Sequence, residues 1–126
     1  MWLALDEVTP EMGSIEFFSR SHRLGNMGNL LDPTVKAGWS ARLESDCEHS
    51  GPVHLQAGDA TVHTNLTAHA TGPNVGDRPR WVWGAMFLPG DAAYTGAQSP
   101  VTDGKGLEPF SPLDHPDFLI IYSPTR

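Results

Sequence analysis

Glycine and proline interrupt this chain so often that long regular elements have almost no room to form. There are 13 glycines and 11 prolines among 126 residues. That density demands many turns and argues against a helical bundle. The length suits one small domain with a modest core. Short strands between Gly/Pro turns point to a mainly β sandwich, jelly roll or small barrel.

The strand candidates follow from local pattern. Trp2–Leu5 is a short apolar run closed by Asp6-Glu7, then a turn at Thr9-Pro10 and Gly13. Ser14–Phe18 alternates, with Ile15 and Phe17 on one face. Residues 19–52 read mostly as loop. Within them Asp32-Pro33 caps at most a short helix, because Val35, Trp39 and Leu43 recur at helical spacing, although Gly38 opposes it. Val53–Gln56, Ala60–His63 and Thr67–His69 are further strand candidates. Gly72–Pro79 is a loop. Arg80–Leu88 reads as the clearest strand, with Trp81, Trp83, Ala85 and Phe87 on one face and Arg80, Val82, Gly84 and Met86 on the other. Beyond it, order is expected around Tyr94 and in a final strand over Phe118–Tyr122.

Several function classes drop out. A net charge of −7 repels nucleic acid. No uncharged apolar run is long enough to span a membrane. The opening MWLALDEV lacks the basic lead of a signal peptide. Cys47 is the single cysteine, so no internal disulfide forms and a reducing, cytoplasmic setting is expected. Trp2–Leu5 starts at full strand character with nothing before it, so the chain reads as the later part of something longer.

Six histidines are present, but none sits in an HExxH or CxxC arrangement. His115-Pro116-Asp117 has the H-x-D spacing of a 2-His-1-carboxylate iron site. It also reads as an ordinary turn before the last strand, and that is the preferred reading. The stretch TAHATGPNVGDRPRWVW, Thr67–Trp83, sets His69 and Arg80 on either side of a turn-rich loop. An arginine's planar fork suits bidentate capture of a carboxylate. The pattern leaves open whether Arg80 faces solvent or a cavity. Alone, His69 reads as a structural histidine ahead of a ligand.

Three blocks together resemble the phytanoyl-CoA dioxygenase family of iron(II)/2-oxoglutarate oxygenases. They are WLALDEVTPEMGSIEFFSRSHRLG (Trp2–Gly25), GDATVHTNLTAHATGPNVGDRPRW (Gly58–Trp81) and, more weakly, the tail Tyr94–Phe118. The resemblance implies a partial double-stranded β-helix (jelly roll, cupin-like), with residues 1–126 as a single incomplete domain. It implies that His69 is the distal iron ligand and that Arg80 anchors the far carboxylate of 2-oxoglutarate. Thr71 and Asn74 match turn positions near the cosubstrate, and His63 matches a strand histidine outside the triad. The loop Gly72–Pro79 then joins two adjacent strands so that ligand and anchor face one cavity.

The family's own H-x-D motif precedes the segment matched by Trp2 and is absent from this sequence. Arg20 stands where the family often has glycine before Ser21-His22. The resemblance therefore implies a fragment of an oxygenase hydroxylating a small-molecule or acyl substrate, inactive alone, with Fe(II) and 2-oxoglutarate as cofactors of the complete enzyme. Exposed strand edges allow a dimer. The alternatives are a non-enzymatic β-sandwich binding a small carboxylate or a protein partner, and a metal protein built from His69, His115 and Asp117. Residues 26–52 are expected to form part of a lid over the cavity.

Overall fold

The computed structural model describes residues 1–28, 30 and 32–123. They fall into two compact units, Met1–Ala85 and Met86–Arg126. Among the described residues, the helices and strands all lie in the first.

Six strands of the first unit build two antiparallel three-stranded sheets. They are β1 (Trp2–Ala4), β2 (Ile15–Ser19), β3 (Glu48–His49), β4 (Ala60–Thr61), β5 (His69–Thr71) and β6 (Val82–Gly84). The first sheet has the order β4-β1-β6 and the second β3-β2-β5. In the first, Trp2 pairs with Thr61 and Gly84, and Ala4 with Val82. In the second, Ile15 pairs with Thr71 and Phe17 with His69. The chain changes sheet after β1, β3, β4 and β5, so most connections run from layer to layer.

Period-two alternation decides what lies between the layers. Ala4 of the first sheet and Ile15 of the second are both almost fully buried, in one cluster with Val8, Met12 and Leu55. Trp2, Val82 and Phe17 pack against it. The two sheets therefore share a core through these inner faces, as a mainly β protein does. The two fully buried serines are satisfied. Ser14 donates to the Val53 carbonyl, and the Ser21 hydroxyl accepts the Ala68 N–H at 2.8 Å.

The outer face of the second sheet is covered by helix α1 (Pro33–Asp46), which runs 14 residues and is longer than the short helix expected. Asp32 caps it, its carboxylate accepting the Thr34 N–H at 2.8 Å, and Pro33 occupies the first turn. Val35 and Trp39 are half-buried and Leu43 is buried, as their spacing predicts. Leu43 joins Met27 and Ala68, with Phe18 and Trp39 packed beside them. Phe18 and Ala68 alternate with Phe17 and His69, so α1 lies behind the sheet. The lid expected over residues 26–52 is thereby corrected for the helix, because its apolar stripe had to bury against the nearest apolar sheet face.

Other strand expectations change: Ala60–His63 shortens to Ala60–Thr61, and Thr67–His69 shifts to His69–Thr71. The strand expected over Arg80–Leu88 contracts to Val82–Gly84, and Trp81 and Trp83 turn outward, 61% and 50% exposed. The inner, core-facing side of the strand is the one carrying Val82, which leaves the indoles on the face with no covering layer among the described residues. Val53–Gln56 forms only an isolated bridge between Val8 and Leu55.

The second unit is held by turns. Ala93 bridges Pro112, the Tyr94 N–H donates to Ser111, and the Phe110 N–H donates to Tyr94. Phe118–Tyr122 makes no strand, since no described segment pairs with it, and Leu119–Tyr122 are exposed.

Candidate functional site

The site region begins at a close approach of two backbones. Gly13 has φ +70°, and a Cβ there would stand inside the van der Waals shell of the Gly72 carbonyl. Only glycine satisfies both demands. This contact ties the end of β5 to the turn Pro10–Met12. From there the loop Gly72–Pro79 is fastened along its length. Val75 N–H donates to the Glu11 carbonyl at 2.9 Å. The Asn74 carboxamide accepts Gly76 N–H at 2.9 Å and donates to the Arg78 carbonyl at 2.8 Å. Arg78 pairs with Asp6 at 2.7 Å and Glu7 at 3.4 Å.

That loop crosses from the second sheet to the first. β5 pairs with β2, and β6 with β1, so the two strands are not hydrogen-bonded neighbours. This corrects the adjacent-strand arrangement expected for the loop. Pro73 and Pro79 lack the N–H groups a ladder would need, and the Asp6, Glu7 and Glu11 anchors draw the segment across the layers.

Arg80 follows directly. Its guanidinium lies 5.6 Å from the Trp2 ring centroid, and Nη1 donates to the carbonyls of Met12, at 3.2 Å, and Gly13. Its remaining N–H donors make no hydrogen bond among the described residues. Arg80 is therefore half-buried on the core side of the first sheet, opposite the exposed tryptophans, with donors left to meet an anion.

His69 sits on the inner face of the second sheet, across from Phe17. Its Nδ1–H donates to the Thr67 carbonyl at 2.8 Å. A carbonyl only accepts, so the bond sets the tautomer and leaves the Nε2 lone pair free, the arrangement that metal-bound imidazoles use. Thr71 shares that face at the end of β5, opposite Ile15.

His63, just beyond β4, completes an aromatic group. Its ring centroid is 4.3 Å from that of His69 and 5.2 Å from Phe17. Burial, and next the neighbouring His69, push the His63 pKa below the usual histidine value. Beside this group lies a cavity of about 570 Å³ whose wall includes Phe17, Ser19, Thr61, His63 and Thr67.

Sequence reasoning put no weight on the acidic turn, Gly13 or Trp2 as supports of Arg80. The one available signal was Gly13 itself, a glycine ahead of an alternating strand. His115 and Asp117 lie in the second unit, where the Asp117 carboxylate is taken by Lys105 and its N–H donates to His115 Nδ1 at 3.1 Å. The lysine holds the Asp117 pKa below the usual carboxylate range.

Among the described residues, no group of three or more His, Cys, Asp or Glu is arranged to hold a metal. His69 fits one position of an iron centre, and Arg80 fits a carboxylate anchor. A complete triad does not arise from the described residues. No helix among them is long and apolar enough to cross a membrane.

No curated protein and no solved structure matches the chain. The sequence model of the phytanoyl-CoA dioxygenase family matches residues 1–82. That span holds every strand but the end of β6, together with His69, the crossing loop and Arg80. The chain belongs to the phytanoyl-CoA dioxygenase family.

Proposed function

We propose that this chain is the portion of an Fe(II)/2-oxoglutarate oxygenase that supplies the distal iron histidine, His69, and the 2-oxoglutarate anchor, Arg80, within part of a double-stranded β-helix. Residues 1–126 are read as one incomplete domain, inactive by itself. The observations that support the reading are His69 on the second sheet, its Nδ1 held by the Thr67 carbonyl and its Nε2 free, and Arg80 half-buried over Trp2 of the first sheet, both within the segment that the family model matches. When bound, iron and 2-oxoglutarate supply the oxygen activation. This chain's residues orient one imidazole, offer guanidinium donors to a carboxylate and keep Trp2 beneath that contact. Thr71 stands beside the cosubstrate position, and Asn74 holds the loop that leads to Arg80. The other iron ligands come from outside the described residues. β5 and β6 each have one unpaired edge among those residues, where a further strand or a second copy of the chain would add.

The test uses the chain extended upstream through an H-x-D segment. Succinate formation should depend on Fe(II) and 2-oxoglutarate, vanish in His69→Ala and require more 2-oxoglutarate in Arg80→Ala. Unchanged turnover in His69→Ala would end the proposal.

A second reading is favoured by the lack of a three-ligand cluster among the described residues. In it, the protein binds a small dicarboxylate through Arg80 without metal. Binding of 2-oxoglutarate to residues 1–126 in excess chelator, lost in Arg80→Ala and unaffected in His69→Ala, would select it.

A further inference from the structure

One hydrogen bond fixes an atom of an imidazole but not the plane of its ring. His69 is exposed, and among the described residues its ring has a single hydrogen bond, from Nδ1 to the Thr67 carbonyl. Exposed side chains exchange rotamers within picoseconds to nanoseconds, so that bond alone leaves the direction of Nε2 loose. Two aromatic rings supply the missing restraint. His63 lies against the imidazole, centroid to centroid 4.3 Å, with the planes 50° apart. Phe17, the cross-strand partner of His69, stands 6.3 Å away. His63 is half-buried and is backed by the same Phe17, edge-on at 5.2 Å. A ring held from behind confines the ring in front of it. The His63 Nδ1 is buried and has no hydrogen-bond partner among the described residues, so that nitrogen is closed to a cation.

We propose that His63 is a positioning residue: its ring, braced by Phe17, fixes the plane of the His69 imidazole and so the direction in which Nε2 points. That Nε2 meets iron rests on the oxygenase reading; the ring contact does not. The geometry divides the labour. Thr67 selects the tautomer by accepting from Nδ1, and His63 selects the orientation by occupying the space beside the ring. A metal ligand must point within a narrow range of directions. A rotamer set before the metal arrives spares the entropy of ordering it at binding. The three rings come from β2, β5 and the residues just after β4, so the orientation belongs to the fold and not to the His69 strand alone. The contact is one of shape. A phenyl ring at position 63 should therefore serve, whereas an aliphatic side chain should not.

The first test needs no iron. In metal-free residues 1–126 labelled on histidine, NMR follows the His69 χ1 couplings and ring signals. The native chain should show one His69 rotamer and a nuclear Overhauser contact between the two imidazoles. His63→Ala should give averaged couplings and His63→Phe should restore the single rotamer, with backbone amide spectra preserved in both. Should His63→Ala not fold, His63→Leu fills the volume without a flat ring and should average as well. In the chain extended upstream through an H-x-D segment, His63→Ala should raise the KM for Fe(II) about ten-fold, the lower end of what losing a ligand's support costs. The KM for 2-oxoglutarate, set at Arg80, should not move with it, a split that a general loss of stability would not produce. A single His69 rotamer in His63→Ala or His63→Leu, or averaging in His63→Phe, would overturn the proposal. Ring-dependent orientation in the metal-free chain together with an extended enzyme that makes no succinate would remove the oxygenase reading and keep the contact. An active extended enzyme whose Fe(II) requirement ignores His63→Ala would do the reverse.

Discussion

The rings of His63 and His69 lie 4.3 Å apart although they arrive from different layers, one just past β4 and the other from β5. Burial, and then the second imidazole, favour the uncharged form of His63. Its folded pKa is therefore depressed below the unfolded value. For a base this means the stabilising contribution is complete above the ordinary histidine pKa of about 6.5. It is lost as pH falls from that value through the folded pKa. Urea midpoints should decline over that window in the native chain and decline less in His63→Gln. Equal slopes in the two proteins would show that His63 is not the titrating group.

Gly13→Ala should unfold the approach to Arg80. The new methyl both meets the Gly72 carbonyl and occupies a left-handed backbone position. A cost of about 1–3 kcal/mol is expected from the strained backbone alone. Thermal denaturation checks it. Gly72→Ala is the control, because its Cβ meets only the Gly13 Cα at an ordinary 3.8 Å.

Arg20 has φ 68° and ψ 3°, a left-handed conformation that costs a side chain about 1–2 kcal/mol. It immediately precedes buried Ser21, whose hydroxyl accepts the Ala68 N–H. Arg20→Gly should therefore raise stability, by about 1 kcal/mol after the extra freedom of the unfolded glycine is subtracted. Chemical denaturation of the two proteins settles the sign.

Helix α1 offers two opposite changes. At Gly38 an added Cβ meets nothing within 4 Å, so Gly38→Ala should stabilise by about 1 kcal/mol. Asp32→Ala removes the cap on Thr34 and should cost about 1 kcal/mol. Helical circular dichroism through a thermal scan reads both.

Arg80→Lys separates anchoring from charge. Lysine keeps the cation but not the fork that reaches the Met12 carbonyl while leaving donors for a carboxylate. Stability should fall less than in Arg80→Ala, whereas 2-oxoglutarate affinity in the extended enzyme should fall nearly as far. Full affinity in the lysine variant would rule out bidentate capture.

Much of the local structure was legible from residue pattern. Ile15 and Phe17 share the inner face because a strand alternates, and Val35, Trp39 and Leu43 share a helix stripe because a helix returns every three or four residues. The helix's length and its place behind the sheet were not legible. Both depend on the apolar face made by Phe18 and Ala68, which come from segments far apart in the chain. The same limit applied to Arg80–Leu88. Alternation named its two faces correctly, but strand length depended on how far the short partner β1 could hydrogen-bond.

The sequence by itself determined the β character, the turn positions, the cap at Asp32 and the family to which His69 and Arg80 point, because these follow from local backbone preferences and residue order. Tertiary structure alone decided that Arg80 turns toward Trp2 and the core, that β5 and β6 lie in separate sheets, and that His63 meets His69. The first two rest on the backbone contact between Gly13 and Gly72 and on the bonds that fasten the crossing loop, and the third on the pairing of β4 with β1 and of β5 with β2. Such contacts join distant positions, and no local pattern in the chain encodes them.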